Sequence, residues 1–268
     1  MPLKMGYATL RWREPDLERA LPALKDAGWD GWEGRLPLDW MGPAKRLKSI
    51  CDAADMPMCV FTASGSPDNT DWAHVERNKR RMEYAAEMGV DCFMFMSGPK
   101  PEGRTVSADD IKQSAEKADA WAEYAAQFDL ELSYHIHTNL LVDSAAHWTQ
   151  YMNQLGKAKL CIDVSHAELW DYDPVEAIND FWTQLNYIHL QDYSSCTVRK
   201  PGAYNPAWVA VGEGECLDFK AVLKSLDKSN FTRWVTSCPG EPPEGGQDAV
   251  TEAKGSAPMR QYLRDLGY

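Results

Sequence analysis

Residues 130–137 read Leu130-Glu131-Leu132-Ser133-Tyr134-His135-Ile136-His137, and their alternation decides the fold. Successive strand side chains point to opposite faces, so Leu132, Tyr134 and Ile136 share one face and Ser133, His135 and His137 the other. The pattern returns at residues 160–164, where Leu160, Ile162 and Val164 set Asp163 apart. It returns again at residues 187–191, where Ile188 and Leu190 set His189 apart. With the apolar faces turned to covering helices, His135, Asp163 and His189 point inward at one register. Their spacings of 28 and 26 residues (positions 135, 163 and 189) are about one strand–helix unit each.

Outward from this stretch, short apolar runs alternate with longer amphipathic ones. Strands are expected at residues 3–9, 31–33, 58–62, 92–96, 130–137, 160–164, 187–191 and 233–238. Helices are expected at residues 14–27, 43–54, 72–88, 107–128, 144–155, 174–182, 218–226 and 249–266. Gly28 and Gly89 read as helix stops and Ser107 as a cap, while residues 192–214 read as a long loop. Strict alternation implies parallel strands with crossover helices. Eight units in 268 residues predict an α/β chain folded as a single (β/α)8 TIM barrel over 1–268. A doubly wound open sheet would favour a glycine fingerprint after the first strand, where Gly6 stands alone.

The net charge is −12, and the basic run Lys79-Arg80-Arg81 sits on an expected helix. A duplex-binding surface needs clustered cations to displace counterions, so no nucleic-acid partner is expected. The seven cysteines are odd in number and form no CxxC pair, which argues against a disulfide framework. No apolar run is long enough for a bilayer, so no membrane partner and a cytoplasmic location are expected. Pairing of barrels into a homo-oligomer stays open.

Two imidazoles and a carboxylate at one point suit a divalent metal. Singly, an inward His is more often a hydrogen-bonded core residue, and an Asp at a strand end a helix cap. Three in matched register favour the metal. In the last strand Trp234, Thr236 and Cys238 share the inward face, with Glu241 three residues beyond. A Cys238 thiolate is a good zinc ligand, against the plain reading of a small buried hydrophobe. Glu241 is the other candidate, against a solvated acid in a Pro/Gly-rich loop.

Taken together, these residues resemble the sugar phosphate isomerase/epimerase superfamily of xylose isomerase-like barrels, closest to its inosose dehydratase and 3-keto-glycoside-processing branch. The resemblance covers nearly the whole chain. Gly28-Trp29-Asp30-Gly31-Trp32-Glu33 is similar to the family's Gly-aromatic-Asp-Gly-x-Glu segment, and Tyr134-His135-Ile136-His137-Thr138 to its His-x-His strand. Asp163-Val164-Ser165-His166 is similar to Asp-x-x-His, and His189-Leu190-Gln191-Asp192 to His-Leu-Lys-Asp. The stretch from Val211-Gly212-Glu213-Gly214 to Phe219 is similar to the Gly-Glu-Gly segment. Each motif is weak alone; their shared order and spacing are specific.

The resemblance implies one divalent metal (Mn, Mg, Co or Zn), proton abstraction beside a carbonyl, and a small carbohydrate substrate. The family's Glu, Asp, His, Glu quartet falls by position on His135, Asp163, His189 and Cys238. His135 and Cys238 both replace Glu, which removes the two-base system of the epimerases and weakly favours elimination. His166 and His137 are the expected proton carriers, with orienting or substrate-binding roles equally open. Glu33 is a third catalytic candidate, against a simple ion pair with Arg11 or Arg35. Trp12, Glu213, Gln191 and Arg199 are the expected substrate contacts. The rival reading is a sugar-binding or scaffold barrel that has lost its metal. The DNA-repair nuclease branch needs more His ligands than the six in this chain supply.

Overall fold

In a computed structural model, which describes residues 2–195, 204–242, 244 and 246–268, eight parallel strands close into a barrel. They are β1 (Lys4–Ala8), β2 (Gly31–Gly34), β3 (Met58–Thr62), β4 (Cys92–Met96), β5 (Glu131–His135), β6 (Lys159–Asp163), β7 (Leu185–Leu190) and β10 (Trp234–Ser237), with β10 pairing back to β1. Each is a short, almost wholly buried run, as expected where one face meets helices and the other fills the barrel.

The helices between them are α1 (Leu17–Ala27), α2 (Leu38–Met41), α3 (Ala44–Ala54), α4 (Trp72–Met88), α5 (Ala108–Ala125), α6 (Ala145–Met152), α7 (Val164–Leu169), α8 (Pro174–Asp180), α9 (Phe219–Lys228), α10 (Ala249–Gly255) and α11 (Ala257–Asp265). Gly28 and Gly89 end α1 and α4 in the left-handed region, and Ser107 opens α5 through a capping box with Asp110.

The differences from expectation have local causes. The stretch 249–266 is two helices, because Pro258 in the first turn of α11 has no N–H to continue the ladder. Strand β5 stops at His135, so His137 lies beyond it. Helix α7 starts directly after Asp163, whose carboxylate accepts from the Ser165 N–H. The run Ile162-Asp163-Val164 reads as continuous strand and hides that boundary. Within the expected loop, β8 (Asp192–Tyr193) and β9 (Trp208–Val209) form a two-residue antiparallel ladder.

Register also differs from strict alignment. Asp163 pairs with His189, as expected, but His135 pairs with Cys161, two residues lower on β6. Strand tilt and stagger are required to close a barrel, and they still carry the His135 ring to Asp163. Cys51, Cys59, Cys92, Cys161 and Cys238 are free and buried; Cys216 is disulfide-bonded, which the odd cysteine count does not suggest. Among the described residues no helix is long and apolar enough to cross a membrane.

Candidate metal centre

Asp163 is the pivot of the site. It is the last residue of β6 and buried, and its Oδ1 accepts from the backbone N–H (3.0 Å) and hydroxyl (2.6 Å) of Ser165. The helix-cap reading of this Asp therefore holds, but it uses one oxygen only. Oδ2 is buried without a hydrogen-bond partner. Around it stand three imidazole nitrogens: His135 Nε2 at 3.5 Å, His166 Nε2 at 3.9 Å and His189 Nδ1 at 3.9 Å. These three nitrogens are likewise buried and unpartnered.

Buried polar atoms without partners cost roughly 1–3 kcal/mol each, so four facing one another need an explanation. A cation bound among them would supply it. Their ligand atoms fall into two overlapping triads that can hold an ion, His135–Asp163–His166 and Asp163–His189–Cys238, with a third formed by His135, Cys161 and His189. Burial, and then the neighbouring His189 ring, pushes His135 down to about 3 despite Asp163. Burial takes His166 to about 4. Burial alone would raise Asp163, but His166, His135 and His189 together hold its carboxyl far below the usual carboxylate range. Neutral imidazoles and an ionised carboxylate are the protonation states a metal requires. The donor set fits the ion that the sequence implies.

Glu33 fixes the geometry from behind. It is fully buried, and Oε2 accepts from His189 Nε2 (2.6 Å) and the Tyr187 hydroxyl (3.0 Å), while Oε1 pairs with Arg35. Burial opposes its charge, but Arg35 and His189 outweigh that and keep it ionised. With Nε2 engaged by Glu33, Nδ1 is the His189 nitrogen turned to the cluster, 3.9 Å from Asp163 Oδ2. Of the two ion-pair partners considered from sequence, Arg35 is the real one; Arg11 instead meets Glu241 (3.5 Å) and the Gly240 carbonyl.

The remaining candidates divide. The His137 and His166 rings lie 3.9 Å apart. His137 Nδ1 is 2.8 Å from the Thr138 carbonyl, so it must donate there and leave Nε2 with the lone pair. Burial and His166 push His137 down to about 3. Cys238 is buried beside Asp163, and both burial and that charge raise its thiol well above the ordinary value. Glu241 is not brought to the cluster: it is 57% exposed and paired with Arg11. Glu213 and Glu241 instead line a neighbouring cavity of about 620 Å³ with Tyr7 and Trp208. Trp208 joins that cavity to the cluster, its ring 5.6 Å from His166. Trp12 is buried and stacked on Trp32, a core position rather than a sugar platform. Gln191 follows β7 and is half-buried. Arg199 lies outside the described residues.

Thr138, Ser165 and Tyr187 were given no role from sequence, and Arg35 only that of a partner for Glu33. Ser165 carried a signal, two residues after a strand-end Asp; Tyr187 sits one inward position below His189. Arg35 and Thr138 carried none beyond adjacency.

This barrel with a polar cluster at its strand ends belongs to the xylose isomerase-like TIM barrel family, whose model matches residues 21–261. The chain is 20% identical to inosose dehydratase of Clostridium beijerinckii over 267 residues, covering 87% of this chain and 88% of that protein. Among solved structures it superposes on the 3-keto-D-glucoside 4-epimerase YcjR of E. coli with a TM-score of 0.73 at 17% identity, covering 97% of this chain and 99% of that one. It also superposes on a xylose isomerase-like TIM barrel/4-hydroxyphenylpyruvate dioxygenase fusion protein with a TM-score of 0.75 at 17% identity, covering 98% of this chain but only 43% of the fusion. The barrel and its family are thus as expected from sequence.

Proposed function

We propose that the protein is a metal-dependent lyase that removes a proton beside the carbonyl of a keto-sugar, ketoinositol or 3-keto-glycoside. The observation that carries this reading is the set of four unpartnered buried atoms: Asp163 Oδ2, His135 Nε2, His166 Nε2 and His189 Nδ1. These four residues would hold the ion. His166 is preferred to Cys238 as the fourth because its Nε2 is a buried, unpartnered nitrogen 3.9 Å from Asp163 Oδ2. A mixed nitrogen and oxygen set favours Zn, Co or Mn over Mg. Bound there, a divalent cation supplies Lewis acidity to a carbonyl oxygen and its developing negative charge.

The chain's own residues do the rest. This reading gives the substrate proton to His137 Nε2, whose lone pair is set by the Nδ1 bond to the Thr138 carbonyl. Thr138 also reaches His166 Nδ1 at 3.1 Å, so one residue orients both rings. Glu33 is saturated by three partners and acts as a positioning residue, not a base. Elimination is favoured over epimerisation because His135 and Cys238 stand where the resemblance puts the two Glu residues that serve the epimerases as acid and base. The named relatives, a dehydratase and an epimerase, bracket the two outcomes.

The reading is tested by turnover of a keto-inositol and 3-keto-glucoside panel by metal-loaded protein. An unsaturated product is expected, and His137→Ala should lower kcat at least a hundredfold. Epimer formation without elimination contradicts it.

A further inference from the structure

A second cavity of about 620 Å³ lies on the rim where β2 and β3 end. Its wall carries Arg35, Arg77, Arg80 and Arg81 against Asp39 and Glu76, in a chain of net charge −12. Most of these charges are accounted for. Arg35 pairs with Glu33, and Glu76 with Lys79 at 3.0 Å. Arg81 is buried, donates to the Thr62 and Leu36 carbonyls, and lies 4.0 Å over the Phe61 ring. Those partners hold the side chain but leave its charge without a counter-ion.

Arg77 and Arg80 are not accounted for. Arg77 reaches the Ser64 hydroxyl at 3.4 Å, and Arg80 has no hydrogen bond or ion pair among the described residues. Beside them at the lip, the Trp72 indole is 75% exposed, and no other large apolar side chain is so exposed among the described residues. An indole kept in water next to unpaired guanidinium groups is an open platform. The planar fork of a guanidinium matches carboxylate and phosphate oxygens in pairs. The pocket is linked to the cluster through Arg35, which belongs to its wall and pairs with Glu33, the carboxylate that accepts from His189.

We propose that this pocket is a subsite for an anionic group, a phosphate ester or carboxylate, borne by the sugar whose carbonyl end lies at the cluster. The anion is held by Arg77 and Arg80, with Trp72 covering the adjoining carbon face. The sugar part rests on the reading above; the anion part does not.

The test is calorimetric titration of the purified protein at fixed ionic strength with inorganic phosphate, glucose 6-phosphate, glucuronate and glucose, with tryptophan fluorescence in parallel. Both sugar anions and phosphate should bind saturably, at least tenfold tighter than glucose. Arg77→Ala/Arg80→Ala should lose that preference and Arg80→Lys keep part of it. Trp72→Phe should remove the fluorescence change while the heat remains. Asp163→Ala should keep phosphate binding, which separates this pocket from the metal centre. Equal affinity for glucose and glucose 6-phosphate, or unchanged anion binding in the double variant, overturns the proposal. Anion binding without turnover of any keto-sugar would sink the lyase reading alone.

Discussion

On the proposed reading Glu33 is the residue that orients the cluster, held by Arg35, Tyr187 and His189. Its Oε2 accepts a hydrogen bond from His189 Nε2, which leaves Nδ1 as the ring nitrogen that faces Asp163. Glu33→Gln keeps an acceptor but removes the charge that holds this orientation. Partners behind a ligand are commonly worth 10–100-fold in metal affinity, so a drop of about that size is expected by competition with a chelating dye. The fourth donor is decided by a pair of variants measured the same way. His166→Ala should weaken the metal at least tenfold, since it removes an unpartnered buried nitrogen 3.9 Å from Asp163 Oδ2. Cys238→Ala should change it less than threefold, because on this reading His166 Nε2 and not the thiol is the fourth donor.

At the scale of elements, the Gly-Glu-Gly segment is explained by one carboxylate. Asp192, the first residue of β8, accepts from the N–H groups of Gly212 and Gly214, each at 3.0 Å, and of Tyr193 at 2.9 Å. The clasp closes the β8–β9 ladder against the turn that carries Glu213 into its cavity. Gly212 needs its positive φ of 96°, and a Cβ on Gly214 would collide with Asp192 Oδ1. Gly214→Ala should therefore cost about 1–3 kcal/mol, read as a lowered urea midpoint with unchanged slope.

The same elements mark how far sequence reaches. Alternation at residues 130–137, 160–164 and 187–191 is a two-residue signal, and the three side chains it turns inward, His135, Asp163 and His189, meet in the structure. It is silent about stagger, so the pairing of His135 with Cys161 could not be read from it. It is also silent once the strand ends, which is why His137 and His166, both beyond their strands, carried open roles. Glu241 and Trp12 were chosen by nearness in sequence to strand ends. The first turns outward to Arg11 and the second inward to Trp32. Arg35 was visible only as a partner for Glu33, because a wall built from two separate loops and a helix has no periodic trace.

For the whole molecule, the barrel is the frame that forces these buried groups together. An ion bound by the folded chain alone stabilises it by mass action, about 2.7 kcal/mol at a hundredfold excess over Kd. A chain of this length gains or loses roughly 2–4 °C in Tm per kcal/mol, so chelation should lower Tm by about 5–10 °C. Readdition of Zn, Co or Mn should restore it. Differential scanning with and without chelator checks this, and Asp163→Ala should make the two traces coincide.

The most direct measurement is metal content by inductively coupled plasma mass spectrometry, on protein purified without chelator and then dialysed against Zn, Co or Mn. About one divalent ion per chain is expected for the native sequence, falling to near zero in Asp163→Ala and His189→Ala. A native chain that retains no ion, or variants that retain as much as the native chain, would contradict a metal centre at His135, Asp163, His166 and His189.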